Sequence, residues 1–150
     1  MPYPTDDSHT ARIDALARDL RSLTGRLKRR LREQSGGGDL TPSQTAVLLR
    51  LEKEGPATTS SLARAEGMRP QSMGTLIAAL DDAGLVAGTP DPDDGRQTIL
   101  SLTDACRKRF EVGRAARQDW LCRMIETRFS PAEQDQLAAA IALLGRLADD

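Results

Sequence analysis

Hydrophobic positions recur with helical spacing near both ends of the chain. Six apolar residues near the N-terminus lie three or four positions apart, so they share one side of a long helix. They are Ile13, Leu16, Leu20, Leu23, Leu27 and Leu31. Close to the C-terminus a second stripe consists of Leu137, Ile141, Leu144 and Leu147. Each stripe is narrow and needs an apolar partner, which predicts that two chains wrap their ends together.

Capping residues and glycines mark the helix boundaries between these stripes. The segment TPSQ at 41–44 places Thr41 at an N-cap, proline at the first helical position and Gln44 in reach of the cap. The segment SPAE at 130–133 starts the last helix in the same way, and SGGGD at 35–39 ends the first one. TTSSLARAEG, residues 58–67, predicts a short helix with capping hydroxyls and a terminating glycine.

A further helix is predicted to begin at Pro70 and to end at Gly84, so that it forms a helix-turn-helix candidate with the short helix before it. At about 100° per residue, one face carries Met73, Leu76, Ile77 and Leu80. The opposite face carries Gln71, Thr75 and Ala78, flanked by Ser72 and Ala79. This second face is polar but uncharged and has small residues, which favours a surface that enters a groove over one that is only solvated.

Two short segments of β-like sequence follow, LVAGT at 85–89 and QTILSL at 97–102. They predict a hairpin whose tip, Asp91 to Arg96, holds three acids and one arginine, and a solvated turn is the simplest interpretation of that tip. A long helix from about Asp104 to Phe129 comes next. The predicted fold class is therefore mainly α with a small β-hairpin: a winged helix-turn-helix flanked by N- and C-terminal dimerisation helices.

Composition bounds the function. The 150 residues suit one domain, or one small domain with an association element. A net charge of −1 argues mildly against nucleic acid, but eight Lys/Arg and two Asp lie between Arg12 and Arg32, against thirteen basic and eighteen acidic residues after that point. No apolar run reaches the roughly 18 residues of a membrane span, and the start lacks the order of a signal peptide. We expect a cytoplasmic protein without membrane contact.

Catalytic and metal-binding patterns are not found in the sequence. His9, the only histidine, lies in the predicted flexible tail, and no pair of acids has a partner base. SGGGD lacks the preceding strand and the lysine of a phosphate loop. We therefore expect no enzyme activity, no cofactor and no metal. Cys106 and Cys122 lie on one helix about 24 Å apart at 1.5 Å per residue, so they cannot pair within a chain. Packing thiols are favoured, and a redox-sensing regulator remains an alternative.

From about Ile13 to Leu147 the chain resembles the multiple antibiotic resistance regulator (MarR) family of dimeric winged-helix repressors. The motifs that carry the resemblance are the D-x-R pattern of Asp94 and Arg96, the LSLT that ends at Thr103, and LDDAGLV at 80–86. The resemblance implies a triangular dimer on a pseudo-palindromic operator in double-stranded DNA, with release by a small-molecule effector. It also implies the domain organisation, which is a flexible tail at 1–10, a dimerisation region at 11–34 and 104–148, and a DNA-binding domain at 40–103.

The family resemblance also indicates the site. It implies that Arg96 enters the minor groove, where A·T-rich DNA attracts a guanidinium, and that Asp94 orients it. Near the start of the recognition helix, the candidate DNA contacts are Arg69, Gln71, Ser72 and Thr75. Three positions depart from the family: Gly95 replaces a second basic residue, Cys106 replaces a common glycine, and Arg69 replaces an N-cap hydroxyl. Because the net charge is slightly acidic, a protein-binding winged helix without DNA affinity is the alternative.

Overall fold

Helices account for most of the residues described by the computed structural model, which are 7–35 and 39–149. In chain order the elements are α1 (Asp7–Gln34), α2 (Pro42–Glu54), β1 (Ala57–Thr58), α3 (Thr59–Glu66), α4 (Pro70–Asp82), β2 (Val86–Pro90), β3 (Thr98–Leu102), α5 (Asp104–Arg128) and α6 (Pro131–Ala148). This order confirms the predicted fold class of a mainly helical winged helix-turn-helix with long helices before and after it. None of the helices in the described ranges is long and apolar enough to cross a membrane.

The chain divides into two compact units. One unit, the winged unit, comprises 38–114, and the other combines 1–37 with 115–150. The sequence-based boundary lies earlier, between 103 and 104. The first turns of α5 belong to the winged unit because Cys106 is fully buried in its core and Phe110 packs against that core. Arg114, the last residue of this unit, forms an ion pair with Glu52 of α2.

Each helix of the winged unit contributes to one apolar core. Its buried residues are Val47, Leu48, Leu51, Leu62, Ala63, Met73, Ile77, Leu80, Leu85, Val86, Leu100, Leu102 and Cys106. Three members lie on α4 and confirm its predicted inward face, with Leu76 half-buried beside them. Full burial of one large apolar side chain stabilises a fold by about 1.5 to 3 kcal/mol. The core therefore fixes which face of α4 is left to solvent.

A three-stranded antiparallel sheet in the order β1-β3-β2 joins the hairpin to the helices. The hairpin is predicted by sequence, whereas β1 is not. β1 has two residues, Ala57 and Thr58, which pair with Leu100 and Ile99. In the hairpin, Gly88 lies opposite Leu100, and a Cβ at that position would lie 2.5 Å from the Thr98 methyl group. A glycine therefore lets the two strands of the hairpin approach at this point.

The structure confirms the helix starts that the two capping boxes predict. The capping boxes of Thr41 with Gln44 and of Ser130 with Glu133 are both formed. The Ser130 backbone N–H donates to the Glu133 carboxylate at 3.0 Å and, together with the Ser130 side chain, lowers the pKa of that carboxyl. α1 begins at Asp7, so residues 7–10, predicted as part of a tail, are helical, and 1–6 lie outside the described residues.

The two terminal helices leave their apolar stripes in water. Neither α1 nor α6 contains a buried residue. Their exposed large side chains are Ile13, Leu16, Leu23, Leu27, Ile141, Leu143, Leu144 and Leu147, which are between 43% and 74% exposed. Soluble monomers rarely expose contiguous apolar surface of this kind. These stripes are the largest group of exposed apolar side chains in the described ranges.

Candidate nucleic-acid interface

The outward face of α4 carries short, uncharged side chains. Gln71, Ser72 and Thr75 are all exposed. The Thr75 hydroxyl donates to the Gln71 carbonyl at 3.2 Å, so its proton is used within the helix while its methyl group stays free. The amide of Gln71 makes no hydrogen bond within the described ranges, which leaves one donor and acceptor pair available to a ligand.

α4 begins without a side-chain cap. Arg69 occupies the N-cap position with extended backbone angles, and its side chain makes no capping hydrogen bond. Pro70 follows at the first helical position, and the first turn contains no acid. The positive end of the helix dipole is therefore not compensated locally, and the exposed Arg69 adds a further positive charge beside it. Both features favour an anion at this end of the helix.

Backbone hydrogen bonds close the wing tip. The Asp91 N–H donates to the Gln97 carbonyl at 2.9 Å, and the Gln97 N–H donates to the Asp94 carbonyl at 3.0 Å. The Asp91 carboxylate accepts from the Asp93 N–H at 2.9 Å. Carboxylates that bond to their own turn are typical of aspartates in such loops. At least part of the acid content of the tip therefore serves to form the turn.

Asp94 acts on the backbone of Arg96 in this structure. Its carboxylate accepts a hydrogen bond from the Arg96 backbone N–H at 3.1 Å. The family resemblance implies instead that Asp94 orients the guanidinium, and the two side chains form no ion pair in the described part of the chain. Arg96 is exposed, so its charged group is free to reach a ligand. Asp94 thus fixes the turn from which the Arg96 side chain leaves.

A polar cleft brings Arg96 together with the starts of α3 and α4. The cleft has a volume of about 290 Å³ and is lined by Thr58, Thr59, Ser60, Pro70, Arg96, Gln97 and Thr98. Pairing of β1 with β3 holds these segments together. The sequence predicts Thr59 and Ser60 only as helix-start residues. Their position in the cleft makes them further candidates for contact with phosphate. The run of four hydroxyl residues at 58–61 is the sequence feature that could have indicated this role.

Thr103 connects the end of α4, the start of the wing and the start of α5. Its hydroxyl donates to the Gly84 carbonyl at 2.7 Å and accepts from the Cys106 N–H at 3.1 Å. Its backbone N–H donates to the Leu85 carbonyl at 3.1 Å. Gly84 has a φ of +74°, a conformation that favours glycine. Thr103 therefore has a structural role, which is to hold the end of α4 against the start of α5.

The two thiols have different environments. Cys106 is fully buried, and this burial raises the pKa of its thiol. A protonated, inaccessible thiol is typical of a packing residue, as the sequence predicts for this position. Cys122 is free and exposed within the single chain, so a packing role for this thiol stays a prediction.

Comparison with known proteins gives one consistent result. A family model described as MarR family matches residues 40–98. An HTH-type transcriptional regulator of Mycobacterium tuberculosis is 37% identical over 135 residues, which cover 90% of this chain and 94% of that protein. The HTH-type transcriptional repressor MdtR of Bacillus subtilis is 28% identical over 121 residues, which cover 81% of this chain and 76% of MdtR.

A solved structure supports the same assignment over both units. A putative transcriptional regulator from Pseudomonas aeruginosa matches with a TM-score of 0.74 and 36% identity, over 89% of this chain and 94% of that one. The similarity extends well beyond the winged unit, to which the family model is largely confined. The chain therefore belongs to the MarR family of HTH-type transcriptional regulators.

Proposed function

We propose that this transcriptional regulator is a homodimeric repressor that places α4 in the major groove of an operator and Arg96 in the adjacent minor groove. One observation carries the proposal: the uncharged face of α4 and the free guanidinium of Arg96 belong to the same winged unit, next to one cleft. The relative MdtR is a repressor, which supports that direction of regulation. Release by a small ligand rests on the family resemblance.

Within this proposal, Gln71 and Thr75 read bases. A glutamine side chain can bond to N6 and N7 of adenine, and a threonine methyl group can contact the methyl group of thymine. The geometry of α4 suits these roles, because the Gln71 amide has no partner within the described residues and the Thr75 hydroxyl is already bonded to the Gln71 carbonyl. Thr75 would therefore contribute through its methyl group more than through its hydroxyl.

Arg69 and Ser72 are proposed to bind phosphate, and their position at the start of α4 supports this role. Both are exposed, and no acid in the first turn opposes an approaching anion. Backbone contacts of this kind fix the register of a protein on DNA without reading its sequence. They would set the depth at which Gln71 and Thr75 meet the base edges.

Binding of the protein to duplex DNA from upstream of its own gene tests the proposed function. Fluorescence anisotropy would compare that duplex with a scrambled duplex of equal length over a series of salt concentrations. A repressor is expected to prefer the upstream duplex and to lose affinity for both as salt rises. A winged helix that binds only proteins would bind neither duplex.

Substitutions on α4 separate base reading from backbone contact. We expect Gln71→Ala and Thr75→Ala each to relax preference at particular operator positions by about 1 to 3 kcal/mol. Thr75→Ser keeps the hydroxyl and removes the methyl group, so it should behave like Thr75→Ala at a thymine. Affinities for a set of single-base operator variants measure this effect, with Gln118→Ala on α5 as the control. An equal loss of affinity for every duplex would show that both residues contact the backbone.

A further inference from the structure

The positive charge of the chain lies on α1 and not on the winged unit. Residues 7–34 contain eight Lys/Arg and four Asp/Glu, a net charge of +4. Residues 38–114 contain nine Lys/Arg and eleven Asp/Glu, a net charge of −2. DNA phosphates attract basic surfaces, and proteins gain most of their sequence-independent affinity from that attraction. The winged unit therefore has no net positive charge with which to attract the phosphates of the proposed DNA ligand.

The eight cations of α1 lie around its polar side, and six of them fall between Arg21 and Arg32. Four of these cations share one part of the polar side, between about 90° and 170° around the helix from the centre of the apolar stripe at 100° per residue: Arg21, Lys28, Arg29 and Arg32. We call these four residues the α1 basic face. All four are exposed. Arg30, at the flank of the apolar stripe, lies over the ring of Trp120 at 5.4 Å, which places α5 near the apolar side of α1 and leaves the basic face turned away from it.

The α1 basic face has no acidic partner in the described residues. The ion pair found on α1 joins Arg18 to Asp14, and none of the four basic-face residues forms one. The face extends over about 16 Å from Arg21 to Arg32 at 1.5 Å per residue, close to the length of five base pairs. Gly25 lies between these cations with open space above it. A flat, extended anion can therefore approach the helix closely along this face.

We propose that the α1 basic face is a second DNA-binding surface, which contacts phosphates without reading sequence. This inference rests on the proposed function, since it assigns a further contact to the same DNA ligand. Three of its four cations are arginines, whose planar guanidinium groups form paired hydrogen bonds with phosphate oxygens. The surface supplies the attraction that the net negative winged unit lacks.

The salt dependence of operator binding tests this surface. In a triple variant, Lys28→Gln, Arg29→Gln and Arg32→Gln remove three charges while keeping long polar side chains. We expect the slope of log affinity against log salt to fall by about 0.9 for each phosphate that the variant no longer neutralises, and the ratio of operator to scrambled affinity to stay unchanged. A charge-retaining variant, Arg29→Lys with Arg32→Lys, is expected to keep most of the wild-type slope.

A matched control removes the same amount of charge elsewhere. Arg117→Gln, Arg123→Gln and Arg128→Gln on α5 remove three charges outside the α1 basic face. A wild-type slope in the α1 variant, or equal slopes in the α1 variant and this control, would overturn the inference while the proposed function stands. Absence of operator binding by the wild-type protein would instead overturn the proposed function and this inference with it. Sedimentation and circular dichroism verify that each variant keeps its assembly and helix content.

Discussion

Replacing Arg96 with alanine is expected to weaken operator binding and to lower its salt dependence by about one counterion per half-site, with thermal stability and assembly nearly unchanged. The side chain is exposed and forms no ion pair in the described part of the chain, so its removal should change the stability of the fold little. Its proposed position in a narrow minor groove gives it a large effect on binding, because negative potential is concentrated there. Operator affinities over a salt series measure both quantities.

Asp94 provides the comparison for Arg96. Asp94→Ala removes the acceptor of the Arg96 backbone N–H, which loosens the turn but keeps the guanidinium. A milder loss of affinity with an unchanged salt slope is therefore expected. Asp93→Ala, which leaves both groups in place, serves as the control. Unchanged affinity and slope in Arg96→Ala would assign the whole tip to turn formation alone.

Removal of α6 is expected to abolish the proposed dimer. Truncation after Pro131 deletes one of the two exposed apolar stripes, and the double substitution Ile141→Asp and Leu144→Asp places charges on it instead. Two linked half-site contacts bind DNA about 10² to 10⁴ times more tightly than one, so the monomer should lose operator affinity to that extent. Sedimentation velocity at micromolar concentration measures the assembly, and anisotropy measures the affinity.

An exposed leucine on the winged unit controls for charge placed on an apolar surface. Leu49 on α2 is 45% exposed, about as much as Leu144. We expect Leu49→Asp to leave the assembly unchanged. If the full-length wild-type chain sedimented as a monomer at micromolar concentration, the proposed dimer would be wrong.

Elements governed by local chemistry were predicted well from the sequence. α2 and α6 begin where their capping boxes place them, because a cap forms between residues three positions apart. β1 was missed, since two residues are too short to show any periodicity and this strand depends on a distant partner, β3. The early start of α1 agrees with Asp7 in its first turn, where an acid is stabilised by the helix dipole.

The features of the candidate site also differ in whether local sequence predicts them. The outward position of Gln71, Ser72 and Thr75 follows from helical periodicity, because the buried residues of α4 fix its orientation. The bond from the Arg96 N–H to Asp94 was not predictable, since it depends on how the tip closes in three dimensions. The cleft that brings Thr59 to the wing depends on strand pairing between segments about forty residues apart, which periodicity cannot reveal.

In the proposed complex with DNA, the short side chains on the outer face of α4 limit how many base pairs one chain can distinguish. Beyond Gln71 and Thr75 this face offers mainly Gly74, Ala78 and Ala79, which bring the helix close to DNA but form no side-chain hydrogen bonds with bases. Two reading positions specify only a few base pairs, whereas a genome presents about 10⁶ or more competing sites. The spacing between the two half-sites would then carry much of the specificity for the regulated gene. Inserting one base pair between the half-sites would abolish recognition as effectively as changing a contacted base.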